Sequence, residues 1–166
     1  MTSRSPAPLR FLPVGLSFKG RGCLVVGGGS VATRKVRTLV GAGAVVTVVS
    51  PALTTDLAEF AGHGRVRWIE QVFQSTHLSG AFLVVAATND EALNAAIVQE
   101  ARQAGALTCD ASSAERSQVI FGALLDIDDA TVAVFTDGRD PAQASTLRDR
   151  IGNTLIPDRD LSGTDA

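Results

Sequence analysis

The chain has 166 residues, 45% of them hydrophobic, and a formal net charge of −2. That length holds one domain with a real core, or one domain plus a small appendage. The charge gives no electrostatic basis for nucleic acid or an anionic membrane as partner, no apolar run approaches a transmembrane length, and the N-terminus carries no secretory apolar region, which reads as a cytoplasmic protein.

Residues 1–10, rich in Ser, Pro and Arg with no period, are predicted to be a disordered tail. Phe11 to Leu16 is apolar, and Lys19-Gly20-Arg21-Gly22 makes a turn into the first strong element. That element is Cys23-Leu24-Val25-Val26, a short buried strand that runs into Gly27-Gly28-Gly29. Ser30, Val31 and Ala32 open an amphipathic helix whose Val31, Ala32, Val36, Leu39 and Val40 share one face. Gly41-x-Gly43 stops it, and Val45 to Val49 supplies a second buried strand. Gly27-x-Gly29-x-x-Ala32 between strand and helix has the spacing of a dinucleotide-binding βαβ turn. Gly27 permits the tight turn, Gly29 lets the backbone approach a pyrophosphate, and Ala32 lets the helix pack closely on its strand. The N–H groups of the first helical turn then face the anion.

Ser50-Pro51 ends the second strand. Leu53, Leu57, Phe60 and Ala61 predict a short helix closed by Gly62-His63-Gly64, and Val66 to Ile69 a third strand. Phe82 to Ala87 reads as a buried strand ending at Thr88-Asn89-Asp90, where Asn89 or Asp90 can cap a helix packed through Leu93, Ala96, Ile97 and Ala101. Leu107-Thr108-Cys109 makes a fifth strand. The alternation predicts an α/β, Rossmann-type, doubly wound parallel sheet with right-handed crossovers. After Asp110 the pattern changes: strands over Val119–Leu125 and Thr131–Phe135 are joined by Asp126 to Asp129, then a helix runs from about Ala142 to Asn153. These late strands hold more apolar residues than a peripheral hairpin can hide on its own sheet, which predicts a two-fold homodimer built on them. Residues 158–166 read as a tail.

Ligands of an open parallel sheet sit beyond the carboxyl ends of its strands. The residues predicted there are Gly27 to Val31, Ser50 to Ala52, Thr88 to Asp90 and Asp110 to Ser113. NAD-binding proteins usually carry an acid after the second strand; Ser50 stands there instead, so discrimination against a 2′-phosphate is expected to be weaker and NADP stays open beside NAD. Arg34 and Lys35 stand near the turn, where they either favour NADP or form a solvated helix face. His63 and His77 read as surface residues. Cys23 and Cys109 read as buried structural thiols, and no Cys or His stands at ligand spacing to make a metal site.

Together these residues resemble one family, precorrin-2 dehydrogenase, which also forms the N-terminal module of sirohaem synthase. The resemblance rests on Leu12-Pro13, Leu24 to Lys35, Gly41 to Ala44, Val48 to Pro51, Ala86 to Asp90 with Asn94, and Val132 to Val134 with Gly138, Pro141, Leu147 and Arg148. It implies NAD-dependent oxidation of precorrin-2 to sirohydrochlorin, a tetrapyrrole, in sirohaem biosynthesis, with ferrous iron insertion as a further step in some members. It also implies a homodimer, so that residues 11–113 are the NAD(P)-binding domain and 114–157 a small α+β dimerisation segment. By resemblance, Ser30, Val31, Pro51 and Ala52 line the NAD site. Aligned on Cys109, the family's catalytic aspartate falls at Ser113 and its asparagine at Asp110, so carboxylate and neutral residue are exchanged. The oxidation releases a hydride and a proton, and the carboxylate of Asp110 is the acid–base candidate; the alternative role for Asp110 is capping its loop through backbone N–H groups. Two other functions stay open: a dinucleotide- or tetrapyrrole-binding relative without catalysis, and a regulatory nucleotide-sensing domain, against which Ser50 argues.

Overall fold

The computed structural model describes residues 10–155, so all but Arg10 of the tail expected at 1–10, and the whole of the tail expected at 158–166, lie outside the described residues. Two compact units divide the chain. The larger, Gly15–Val119, contains β1 (Gly22–Val26), α1 (Ser30–Gly41), β2 (Val45–Val49), α2 (Thr55–Gly62), β3 (Arg67–Ile69), a 3₁₀ turn (Ser75–Leu78), β4 (Leu83–Ala86), α3 (Glu91–Gln103) and β5 (Leu107–Asp110). All five strands are parallel, in the order β3-β2-β1-β4-β5. This is the Rossmann-like sheet that the alternation of strand and helix predicts.

Strands buried on both faces must be apolar at every position, and β1 and β4 are: Leu24, Val25 and Val26 pair with Val84, Val85 and Ala86, none more than 3% exposed. Leu24, Val26, Val84 and Ala86 pack on one side with Ile97, Val98 and Ala101 of α3. Val25, Val48 and Val85, of the opposite parity, are fully buried on the other side. Crossovers β1–α1–β2 and β4–α3–β5 leave β1 and β4 in opposite directions along the sheet, so their right-handed helices cover opposite faces. The strand order reverses between β1 and β4, the kind of seam at which open parallel sheets take their ligands.

The smaller unit consists of residues 10–14 with 120–155. Strands β6 (Ala123–Ile127) and β7 (Ala130–Val134) form an antiparallel hairpin beside α4 (Pro141–Leu155), with Leu125 and Ala144 buried. The register pairs Ile127 with Ala130, and Asp128 takes φ 49°, a conformation Asp adopts more readily than most residues. The first of these strands therefore starts four residues later than the apolar run implies. The N–H groups of Gln118 and Val119 both donate to the Thr108 carbonyl, at 2.9 and 3.0 Å, which ties the start of that run to β5. Gly122 lies under the Phe135 ring, 2.9 Å from where a Cβ would stand. Asp137 accepts the N–H groups of Arg10 and Phe11 at 3.1 and 3.0 Å, fastening the segment before Val14 to the turn ahead of α4.

Candidate functional site

The three glycines do different work. Gly27 has φ +121° and presses on the end of β4, where a Cβ would overlap the Ala87 carbonyl. Gly28 presses on the loop after β2, where a Cβ would overlap the Ala52 carbonyl and stand 2.8 Å from Ser50 Oγ. Gly29 faces open space, with nothing within 4 Å of a Cβ built there. It is the N-cap of α1, makes no side-chain cap bond, and no acidic residue occupies the first turn. The N–H groups at this helix start, beside exposed Ser30 and Val31, are thus left without a side-chain cap or a repelling carboxylate. That surface fits the pyrophosphate of a dinucleotide.

On the β2 side, Ser50 is buried and its hydroxyl donates to the Ala52 carbonyl at 2.7 Å. Its own carbonyl accepts from Trp68 Nε1 at 3.0 Å. The Thr54 N–H donates to Gly28 at 2.9 Å, and the Thr54 and Thr33 hydroxyls bond at 2.8 Å. These bonds hold the 50–54 loop against the glycine turn and leave Pro51 and Ala52 exposed toward the ligand edge. The Ser50 hydroxyl therefore shapes the loop. Asp56, the first acid after β2, pairs with Arg37 at 2.9 Å.

On the β4–β5 side, buried Asn94 holds Thr88 from both ends: its Oδ1 accepts from Thr88 N at 3.0 Å and Oγ1 at 2.7 Å, and its Nδ2 donates to the Thr88 carbonyl at 3.1 Å. Asn89 is exposed, and Asp90 caps α3 by accepting from Leu93 N at 3.0 Å. Asn94 Nδ2 also donates to Ser112 Oγ at 3.3 Å, and Ser112 Oγ donates to Asp110 Oδ1 at 2.6 Å. The side chain of Asp110 is fully buried; its Oδ1 accepts the Ser112 N–H at 2.9 Å and its Oδ2 accepts Arg116 Nε at 2.6 Å. Burial pushes this carboxyl up, but the bonds from Ser112 and Arg116 outweigh it and hold it below the usual aspartate range. Arg116 reaches on to Glu91 Oε1 at 2.9 Å. Ser113 Oγ accepts the Arg116 N–H at 3.3 Å. The contacts of Asp110 are those of the loop-capping alternative, extended by an ion pair.

The strand ends are marked in the sequence, Ser112 among them, but Arg116 and Glu91 are not, because a clamp between residues six and twenty-five apart leaves no local period. Asp110-x-Ser112 was its one visible trace, the spacing of an Asx turn. His63 lies exposed with its ring on the Glu59 carbonyl, and His77 Nδ1 accepts from Gln74 N. Cys23 and Cys109 are buried, and desolvation pushes both thiols up to about 11, so they stay protonated at neutral pH; Lys35, whose own value is lowered by burial, partly offsets the rise at Cys109. Among the described residues no cluster of three or more His, Cys, Asp or Glu could hold a metal, and no helix is long and apolar enough to cross a membrane.

A family model described as NAD(P)-binding matches residues 14–123. The chain is 40% identical over 147 residues to siroheme synthase 1 of Aeromonas salmonicida, covering 89% of this chain and 31% of that protein. It is 42% identical over 146 residues to the siroheme synthase of Methylobacillus flagellatus, covering 88% and 31%. It spans about a third of the length of these curated relatives. Among solved structures it is similar to SirC, precorrin-2 dehydrogenase, with a TM-score of 0.75 and 29% identity, over 87% of this chain and 71% of that one.

Proposed function

We propose that this chain, which belongs to the NAD(P)-binding family, oxidises precorrin-2 to sirohydrochlorin, a step of sirohaem biosynthesis, with NAD as the preferred cofactor. The observation that carries the reading is the uncapped, open start of α1 at Gly29, set at the seam of a sheet that superposes on a precorrin-2 dehydrogenase. Gly28, Gly29, Ser30 and Val31 would hold the pyrophosphate, Pro51 and Ala52 the adenosine end, and Thr88 and Asn89 the side facing the substrate. When bound there, the nicotinamide supplies the acceptor for a hydride. The substrate loses that hydride and one proton and gains a C=C bond, while the cofactor becomes reduced. Asp110 and Ser113 stand at the edge where the proton leaves.

A second reading, dinucleotide or tetrapyrrole binding without oxidation, is favoured by one observation: the carboxylate of Asp110 is occupied by Ser112 and Arg116. Supplying precorrin-2 and NAD and following NADH and sirohydrochlorin separates the two. Stoichiometric formation of both supports the dehydrogenase; cofactor binding without NADH supports the second reading. We further propose a cytoplasmic homodimer assembled through 114–157. A two-stranded hairpin with one helix hides little surface, and Leu124 remains 43% exposed. Light scattering should give twice the chain mass at micromolar concentration, and a monomer there would sink this part.

A further inference from the structure

We propose that Arg116 anchors a carboxylate of the substrate, and that Glu91 occupies the place of that carboxylate until the substrate arrives. The proposal rests on the tetrapyrrole reading above. The two acids on this guanidinium are unlike. Asp110 takes Nε at 2.6 Å with its side chain fully buried, and is itself fastened by the Ser112 N–H and hydroxyl. Glu91 takes Nη2 at 2.9 Å with 68% of its side chain exposed. The first contact is a fixed mount. The second is an exposed ion pair, weak enough to be exchanged.

The placement suits such an exchange. Asp110 is the last residue of β5 and Glu91 the first of α3, just after β4. Arg116 therefore stands at the carboxyl edge of the sheet, on the side of the β1–β4 seam that faces away from β2. Arg102 Nη2 donates to the Arg116 carbonyl, holding the backbone as well. A guanidinium fixed through Nε loses little further freedom when a carboxylate takes Nη2. The macrocycle carries carboxylates around its rim, so one of them replacing Glu91 leaves the charge on Arg116 balanced. Asp110 is then a positioning residue, acting on the substrate through Arg116.

The test needs no turnover. Uroporphyrin, a macrocycle with eight carboxylates, is titrated into the full chain and followed by its absorbance and fluorescence. Arg116→Gln should weaken binding about tenfold or more, the scale of a charge-assisted hydrogen bond. Arg116→Lys should recover only part of it, because an ammonium lacks the planar fork. Glu91→Gln should tighten binding several-fold by vacating the place. Equal binding by wild type and a natively folded Arg116→Gln would overturn the anchor while leaving the tetrapyrrole reading intact. Weaker binding by Glu91→Gln would overturn the exchange, and this exposed position keeps the test valid if Arg116→Gln does not fold. No binding of uroporphyrin by wild type would remove the tetrapyrrole reading and this proposal with it.

Discussion

Gly28 and Ala52 are so close that a Cβ at position 28 would overlap the Ala52 carbonyl oxygen, whereas a Cβ at Gly29 would meet nothing within 4 Å. Adjacent glycines thus serve opposite ends. Gly28→Ala should lower the melting temperature without ligand, because backbone at both positions must shift and such strain runs to about 1–3 kcal/mol. Gly29→Ala has φ −83°, open to any residue, and should fold like wild type. Its methyl would stand where the pyrophosphate approaches, so NAD affinity should fall about tenfold or more. Thermal melts and calorimetric titration check both halves. Normal NAD binding by Gly29→Ala would remove the helix start as the anion site.

The adenosine end carries the next prediction. Ser50 is buried with its hydroxyl on the Ala52 carbonyl, and no acid lies between it and Asp56, which is paired with Arg37. Both NAD and NADP should therefore raise the melting temperature, since each stabilises the folded state by mass action. Ala52→Asp places a charge on the exposed edge and should weaken NADP by roughly tenfold relative to NAD, through repulsion of the 2′-phosphate. An unchanged ratio would place the ribose elsewhere.

Asp110 gives the chain a defined acid response. Its carboxyl is held below its ordinary value of about 3.9 by Ser112 and Arg116, against the opposing push of burial. For a lowered carboxylate, the stabilising contribution is complete above the unfolded value and lost as pH falls through the folded one. Wild type should therefore lose stability below about pH 4. Asp110→Asn should be less stable at pH 7 by about 1–3 kcal/mol and fall less steeply in acid. Denaturant titrations at pH 7 and pH 3 measure this; equal losses on acidification in both proteins would refute it.

Much of this was legible in the sequence, for local reasons. Leu24 to Val26 and Leu83 to Ala86 are apolar without interruption because both sheet faces are covered. The glycine turn announces itself through conformation and close approach, both properties of a residue and its neighbours. The hairpin start was misplaced because the bonds from Gln118 and Val119 to Thr108 are tertiary. The roles of Ser50 and Asp110 were equally hidden. Ser50 was legible as a hydroxyl at a strand end, but its partner is set by how Gly28 crowds Ala52. Asp110 was legible as an acid at the ligand edge, but Arg116 reaches it only after the turn at 111–117 closes.

The last prediction concerns the proton. Oxidation requires a base near the nicotinamide, and a positioned one contributes about 10²–10⁴-fold. Asp110 is ionised at neutral pH, yet its oxygens are spent on Ser112 N, Ser112 Oγ and Arg116 Nε, so taking a proton would break an ion pair to make a weak acid. Ser113 is half-buried in the same turn, and its hydroxyl accepts one backbone N–H, from Arg116, at 3.3 Å. A carboxylate there could keep that acceptor role while turning its second oxygen to the ligand edge. Ser113→Asp should therefore raise kcat for NAD-dependent sirohydrochlorin formation by about tenfold or more, with little change in KM. Asp110→Asn should raise KM more than it lowers kcat, as expected of a residue that works by holding Arg116. Steady-state kinetics on the two variants decide the matter: abolition of kcat in a folded Asp110→Asn at saturating substrate would make Asp110 the base after all.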